Sequence, residues 1–211
     1  MLDKSIPYKN IYMIRSPLTN VDDPVLPEGY SLRLFAPGDR DAWCAVETSV
    51  GEFPNIEKAR EYFAKDYAPF ADELTRRCVF ACDENGTPVA TATAWWSDDE
   101  EDHIAMVHWV SVHPAHQGKG LGRAVTQRVL QLFTEVEPNR PIMLHTQTWS
   151  HIAVRMYLSL GFAPISACSK FSPKNELDDA IEVLKTVMNE DELRKFTDCA
   201  VTVDRFLPTK I

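Results

Sequence analysis

Apolar positions along the chain change period in blocks, and each block predicts an element. Tyr30 to Phe35 alternates apolar with polar residues and reads as a strand. Asp39 to Val50 and Ile56 to Arg77 have helical spacing, with Pro54-Asn55 as a start signal before the second. Cys78 to Cys82 is a short apolar strand, Asp83-Glu84-Asn85-Gly86 a hairpin turn, and Pro88 to Trp96 its partner. Ile104 to Val112 is nearly all apolar, the mark of a strand covered on both faces. Leu121 to Val136 places Leu121, Val125, Val129, Leu132, Phe133 and Val136 on one helical face. Ile142 to Thr148 predicts another strand, and Ser150 to Leu160 a helix stopped by Gly161. The order βααβββαβα describes an α/β fold: a mixed, mostly antiparallel central sheet with helices on both faces.

The flanks follow other rules. Residues 1–29 hold Pro7, Pro17, Pro24 and Pro27-Glu28-Gly29 and read as an irregular N-terminal arm, leaving 30–211 as a single domain. After a strand over Ala163 to Phe171, Ser172-Pro173 is a strong helix start. Leu177, Ala180, Ile181, Leu184 and Val187 then form an amphipathic stripe, Asp191 to Phe196 suggests a second helix, and Cys199, Val201 and Val203 alternate as a strand. Together these describe a helical insertion at about 172–198 between two strands.

Composition narrows the classes. The chain is 45% hydrophobic and 25% charged, and no apolar run approaches the ~18 residues of a membrane span, so a soluble cytoplasmic protein is expected. The apolar stretch Ile11 to Ile14 is too short for a signal-peptide core. Cys44, Cys78, Cys82, Cys168 and Cys199 are scattered, with no second pair to complete a zinc site, so buried free thiols and no metal are expected. A net charge of −9 argues against nucleic acid. The 31 acidic residues are unevenly spread: Asp98 to Asp102 is an unbroken acidic run, while His103 to Thr134 contains none. An acid-free island in an acidic chain suits a polyanionic ligand.

Within that island lies His113-Pro114-Ala115-His116-Gln117-Gly118-Lys119-Gly120-Leu121-Gly122-Arg123. Pro114 ends the strand, since it cannot donate to a ladder. Alternate glycines let the backbone curl so that successive N–H groups converge, and the following helix adds its positive end. Lys119 and Arg123 supply mobile positive charge. The nucleotide-triphosphate loop Gly-x-x-x-x-Gly-Lys-Ser/Thr fails at Leu121, and the dinucleotide fingerprint Gly-x-Gly-x-x-Gly fails at Arg123.

Val110-Ser111-Val112-His113-Pro114 followed by Gln117-Gly118-Lys119-Gly120-Leu121-Gly122 resembles the acetyl-CoA signature of the GNAT superfamily. A second family motif is recognisable in Ser150 to Phe162, ending Met156-Tyr157-Leu158-Ser159-Leu160-Gly161-Phe162, and the resemblance covers roughly residues 30–165. It implies an N-acetyltransferase moving acetyl from acetyl-CoA to a small-molecule or peptide amine by direct transfer in a ternary complex. It further implies that the backbone of Val110, Ser111 and Val112 pairs with the pantetheine arm. The N–H groups from Gly118 to Arg123 would hold the pyrophosphate. Tyr157 matches the family's usual general acid, and Ser150 stands where members often carry a cofactor-binding asparagine. A histidine matching His108 occurs in serotonin N-acetyltransferase, whereas the glutamate base of another subset falls on Met106.

The chemistry supports those residue types. An alkyl amine with a pKa of about 10.4 is almost all ammonium at neutral pH, so a base must take a proton. An imidazole such as that of His108, or of His145 on the next strand, titrates in the useful range. A phenol can donate to the departing thiolate. Each residue also has a plain packing reading: His108 and His145 as satisfied core histidines, Tyr157 as a core-facing helix tyrosine, and Ser150 as a helix N-cap. Trp95, Trp96 and Trp149 suit either an acceptor pocket or the core, and the acidic run either attracts a cationic acceptor or forms a solvated turn. The same motifs also suit a non-catalytic acyl-CoA sensor, a longer acyl chain or a hydroxyl acceptor. Members of the family usually close with a simple hairpin that borders the acceptor site, so the resemblance implies that the 172–198 insertion lies within a terminal hairpin as a lid or a homodimer surface; its packing reading is an elaboration with no role in catalysis.

Overall fold

A computed structural model describes residues 2–17, 21–99, 102–167 and 175–203. Its strands are β1 (Asn10–Arg15), β2 (Ser31–Leu34), β3 (Cys78–Cys82), β4 (Pro88–Asp99), β5 (Asp102–Val112), β6 (Ile142–Gln147), β7 (Ala163–Ala167) and β8 (Val201–Thr202). Its α-helices are α1 (Arg40–Ser49), α2 (Ile56–Tyr62), α3 (Ala71–Arg77), α4 (Leu121–Val136), α5 (His151–Ser159), α6 (Leu177–Leu184) and α7 (Glu190–Asp198). The eight strands follow the order β2-β3-β4-β5-β6-β1-β7-β8, so the expected mixed α/β class is observed. The chain divides into two compact units, Leu18–Trp95 with Val107–Pro138, and Met1–Pro17 with Trp96–Met106 and Asn139–Ile211.

In the first unit β3 is wholly buried and pairs antiparallel with β2 (Ser31↔Cys82 to Leu34↔Val79) and with β4 (Cys78↔Thr93 to Cys82↔Pro88). The turn joining β3 to β4 closes because the Asp83 carboxylate accepts from the N–H groups of Asn85 and Thr87, at 3.0 and 2.9 Å. Gly86 completes it at φ +77°, where a Cβ would be strained. The long helix expected over 56–77 is broken into α2, a π-turn at Phe63–Tyr67, a 3₁₀ turn at Ala68–Phe70, and α3. Pro69 explains the break: it has no N–H to give and its ring crowds the preceding turn. Helix α4 packs its buried face against β3 and α3. Below it Arg77 bonds Glu137 at 3.1 Å, both side chains nearly inaccessible, and also donates to Glu73 and the Ala94 carbonyl.

The second unit corrects the reading of the N-terminal arm. Residues 10–15 form β1, antiparallel to both β6 (Asn10↔Gln147 to Arg15↔Ile142) and β7. Ile11, Tyr12 and Met13 are all buried, so the strand shows no alternation, and its flanking prolines gave the segment the look of a loop. Tyr12 joins Ile104, Met106, Met143 and Ile165 in the core of this unit. The residues ahead of β1 are tied down as well: Lys9 N–H donates to Thr148 Oγ1 at 3.0 Å and the Trp149 indole to the Ile6 carbonyl at 2.8 Å.

At the other end α6 and α7 occur as expected, α7 opening with a reciprocal capping box between Asn189 and Glu192. The predicted start at Ser172-Pro173, and Cys168 with it, lies outside the described residues. The terminal pair is not a hairpin: β8 runs parallel to β7, with Ile165↔Val201 and Ala167↔Thr202. Parallel neighbours need a crossover, and the chain between them contains α6 and α7. Among the described residues no helix is long and apolar enough to cross a membrane.

Candidate functional site

The glycine-rich segment lies in the first unit. His113 N–H donates to the Val89 carbonyl at 2.8 Å, extending the contact with β4, and Pro114–His116 then turns as one 3₁₀ element. The Gln117 amide donates to the Val112 carbonyl at 2.9 Å, pinning the loop to the strand it leaves. Gly118 and Gly120 stand at φ +76° and +82°, and Gly120 is the left-handed N-cap of α4. A Cβ at either glycine would meet nothing within 4 Å, so packing does not demand glycine there; conformation and open approach to the backbone do. The first-turn amides of α4 have no acceptor within the helix, and that turn carries no acid. This geometry fits a phosphate or pyrophosphate group.

Beside the loop, Lys119 Nζ donates to Tyr30 Oη at 2.7 Å, and Tyr30 Oη shares a 2.9 Å bond with His116 Nδ1. Residues His108, Val110, Ser111 and Val112 form the end of β5, in the same unit as Gln117, Gly118, Lys119, Gly120, Leu121, Gly122 and Arg123.

Two features here were missed by sequence reasoning. Trp109, inside β5, has φ +50°, a strained conformation for a bulky residue, and its indole N–H donates to Tyr62 Oη at 3.1 Å. Nothing in a run of apolar residues announces it. The second is Glu47, wholly buried on α1, whose carboxyl accepts from Ser111 Oγ at 2.8 Å. Its signal was legible: Trp43, Val46, Glu47 and Val50 fall at i, i+3, i+4 and i+7, which puts an acid on the apolar stripe. Around Trp43 gather Phe53, Tyr62, Phe63, Tyr67 and Trp109, with ring centroids 5.3–6.0 Å from it. Burial in this aromatic setting pushes the Glu47 carboxyl up to about 8, against the lowering effect of the Ser111 bond.

Tyr157 and Ser150 belong to the second unit. Tyr157 is a buried residue of α5, its ring 5.9 Å from that of Phe162. Ser150 occupies the N-cap of α5 but makes no capping bond through its side chain; Gln147 Oε1 instead accepts from the Ser150 N–H at 3.0 Å. His145 is exposed, 2.8 Å from Asn10 Oδ1, rather than a core histidine. Trp95 is buried against Tyr67. Cys44, Cys78 and Cys82 are buried free thiols, whereas Cys199 is exposed. In the acidic run, residues 100 and 101 and the side chains of Asp98, Asp99 and Asp102 lie outside the described residues. Among the described residues no three His, Cys, Asp or Glu side chains gather as a metal site.

Residues 43–162, more than half of the chain, match the model of the acetyltransferase (GNAT) family. A mycothiol acetyltransferase from Salinispora tropica is 30% identical over 165 residues, covering 74% of this chain and 52% of that protein. Another, from Thermobispora bispora, is 31% identical over 159 residues, with 72% and 53% covered. The chain thus spans about half the length of these curated relatives. Among solved structures, a GCN5-related N-acetyltransferase from Sphaerobacter thermophilus shares the fold with a TM-score of 0.58 and 22% identity, over 75% of this chain and 49% of that one. With left-handed glycines at 118 and 120 between β5 and α4 and a family match that runs through them, the chain belongs to the acetyltransferase (GNAT) family.

Proposed function

We propose that this protein transfers an acetyl group from acetyl-CoA to an amine of a small-molecule acceptor, directly and within a ternary complex. The observation that carries the reading is the loop at Gly118–Arg123, with two left-handed glycines, helix amides that have no acceptor within the helix, and two basic side chains suited to a pyrophosphate. The name of the relatives, mycothiol acetyltransferase, supports a small-molecule acceptor over a protein.

The chemistry assigned to the chain's residues is as follows. Backbone groups of Val110, Ser111 and Val112 pair with the pantetheine arm, which fixes the thioester. His108, through water, takes a proton from the acceptor ammonium. The freed nitrogen forms the C–N bond at the carbonyl carbon, the C–S bond breaks, and the nitrogen gives its second proton to solvent to leave the amide. The Tyr157 hydroxyl gives the departing thiolate its proton and recovers one from solvent. Ser150 is assigned a contact with the donor.

The test is free-thiol release from acetyl-CoA over a panel of amines, amino sugars, amino acids and peptides, with thermal unfolding followed alongside. A donor-induced rise in Tm that Gly120→Val abolishes, together with thiol release on some acceptors, supports the proposal. A Tm rise without release on any acceptor replaces catalysis with donor sensing. An unchanged Tm rise in Gly120→Val sinks the loop assignment.

A further inference from the structure

The chain handles its structural acids in one way and Glu47 in another. Glu137, also buried, faces the guanidinium of Arg77, a partner that offsets the cost of removing a carboxylate from water. Glu47 is fully inaccessible, yet its Oε2 meets only the hydroxyl of Ser111, and its Oε1 has no hydrogen-bond partner. The indole nitrogen of Trp43, one turn earlier on α1, is likewise buried without one. An acid in that position lowers stability, and a hydrophobic residue would fill the stripe better. Its place therefore calls for a role beyond packing.

That role follows from what Glu47 touches. Ser111 is the middle residue of the segment assigned to the donor, and Trp109, two residues earlier, is held at φ +50°. Strain of this kind persists only where the surroundings over-determine it. Two side-chain bonds do so here: the Trp109 indole on Tyr62 Oη, and Ser111 Oγ on Glu47. We infer that Glu47 is a positioning residue for the acyl donor, its carboxyl holding strand segment Trp109–Val112, through Ser111, in the form that pairs with the pantetheine arm. The inference rests on the donor reading above.

The carboxyl does this as a neutral group. Burial and the negative charge of Glu52 both raise its ionisation, to about 8. Tyr62 from α2, Tyr67 from the π-turn and Cys78 from β3 also interact with its charge. Both tyrosines are raised above their usual value by burial, and Cys78 is pushed up to about 11, so all three stay neutral while Glu47 ionises. Ionisation then places a charge among aromatic rings with one oxygen unpartnered, and the segment relaxes to let water in.

The experiment is calorimetric binding of acetyl-CoA between pH 6.5 and 9.5 by wild type, Glu47→Gln and Ser111→Ala, with far-UV circular dichroism to verify folding. For wild type, Kd rises about tenfold for each pH unit past the midpoint near 8, as linkage to one proton requires. Glu47→Gln, which keeps the shape and an acceptor for Ser111, binds as wild type at pH 7 and loses the alkaline rise. Ser111→Ala binds more weakly throughout and is also flat. An alkaline rise that persists in Glu47→Gln, or is absent from wild type, overturns the inference and leaves the donor reading standing. Absence of binding by wild type at every pH overturns the donor reading and this one with it.

Discussion

Lys119 Nζ lies 2.7 Å from Tyr30 Oη and 5.2 Å from the centre of the same ring, so one aromatic residue from the start of the first unit restrains the mobile cation of the glycine-rich loop. The hydroxyl also engages His116, which links the side chains of His116 and Lys119 on either side of Gly118. A restrained lysine loses less freedom when it meets a phosphate. Lys119→Met is expected to raise the acetyl-CoA Kd about tenfold, the size of one charge-assisted contact. Tyr30→Phe keeps the ring under the ammonium and should change Kd by less than about threefold. Calorimetry at low and at physiological ionic strength checks both, and the lysine variant should show the shallower salt dependence. Equal affinity and salt dependence for Lys119→Met and wild type would remove Lys119 from the phosphate site.

Tyr157→Phe deletes one oxygen from a buried helix residue and leaves its ring against Phe162. As the general acid, it should cost roughly ten- to a thousand-fold in kcat with donor affinity nearly intact. His108→Ala should erase the ascending limb of the pH–rate profile near neutrality. Steady-state kinetics on any acceptor found by the thiol assay decides both. Full turnover by Tyr157→Phe would make the tyrosine a packing residue, and a persisting limb in His108→Ala would move the base elsewhere.

The buried pair Arg77–Glu137 ties the end of α3 to the residue that closes α4. Glu137→Ala leaves Arg77 with Glu73 and the Ala94 carbonyl but removes its buried partner, so stability should fall by about 2–3 kcal/mol. Combining Arg77→Met with Glu137→Leu should avoid most of that loss, because apolar replacements of similar volume leave no orphaned charge. Urea midpoints of wild type and the two variants measure the effect. A loss under about 1 kcal/mol in Glu137→Ala would show the pair to be solvent-relaxed.

What the sequence revealed follows physical lines. Helix α4 was predicted to the residue because its apolar face repeats cleanly and Gly120 and Gly122 mark its start. Strand β1 was missed because a strand buried on both faces has no period, and prolines at 7 and 17 framed it as a loop. The break at Pro69 is readable from one residue, but the long apolar pattern around it masks the signal. In the site, the loop was legible because glycine at left-handed positions has few substitutes. The strain at Trp109 was not, since no residue type encodes it.

Glu47 gives the pH dependence of stability a definite sign. Its carboxyl ionises near 4.5 when exposed and near 8 in the fold, so the folded state keeps a proton that the unfolded chain releases. Below the lower value both states are protonated and the contribution to stability is complete. Between the two values stability falls as pH rises, by up to about 1.4 kcal/mol per pH unit, and above the higher value the loss is finished. Glutamine cannot ionise, so Glu47→Gln should lack this component. A second buried amide hydrogen adds a constant offset, but that offset does not vary with pH. The difference in unfolding free energy between Glu47→Gln and wild type should therefore shift towards the variant by a few kcal/mol from pH 5 to pH 8. It should then hold steady from pH 8.5 to 9.5. Urea titrations at four pH values across that range measure it, and a difference independent of pH would mean that Glu47 is already ionised, or solvated, in the folded protein.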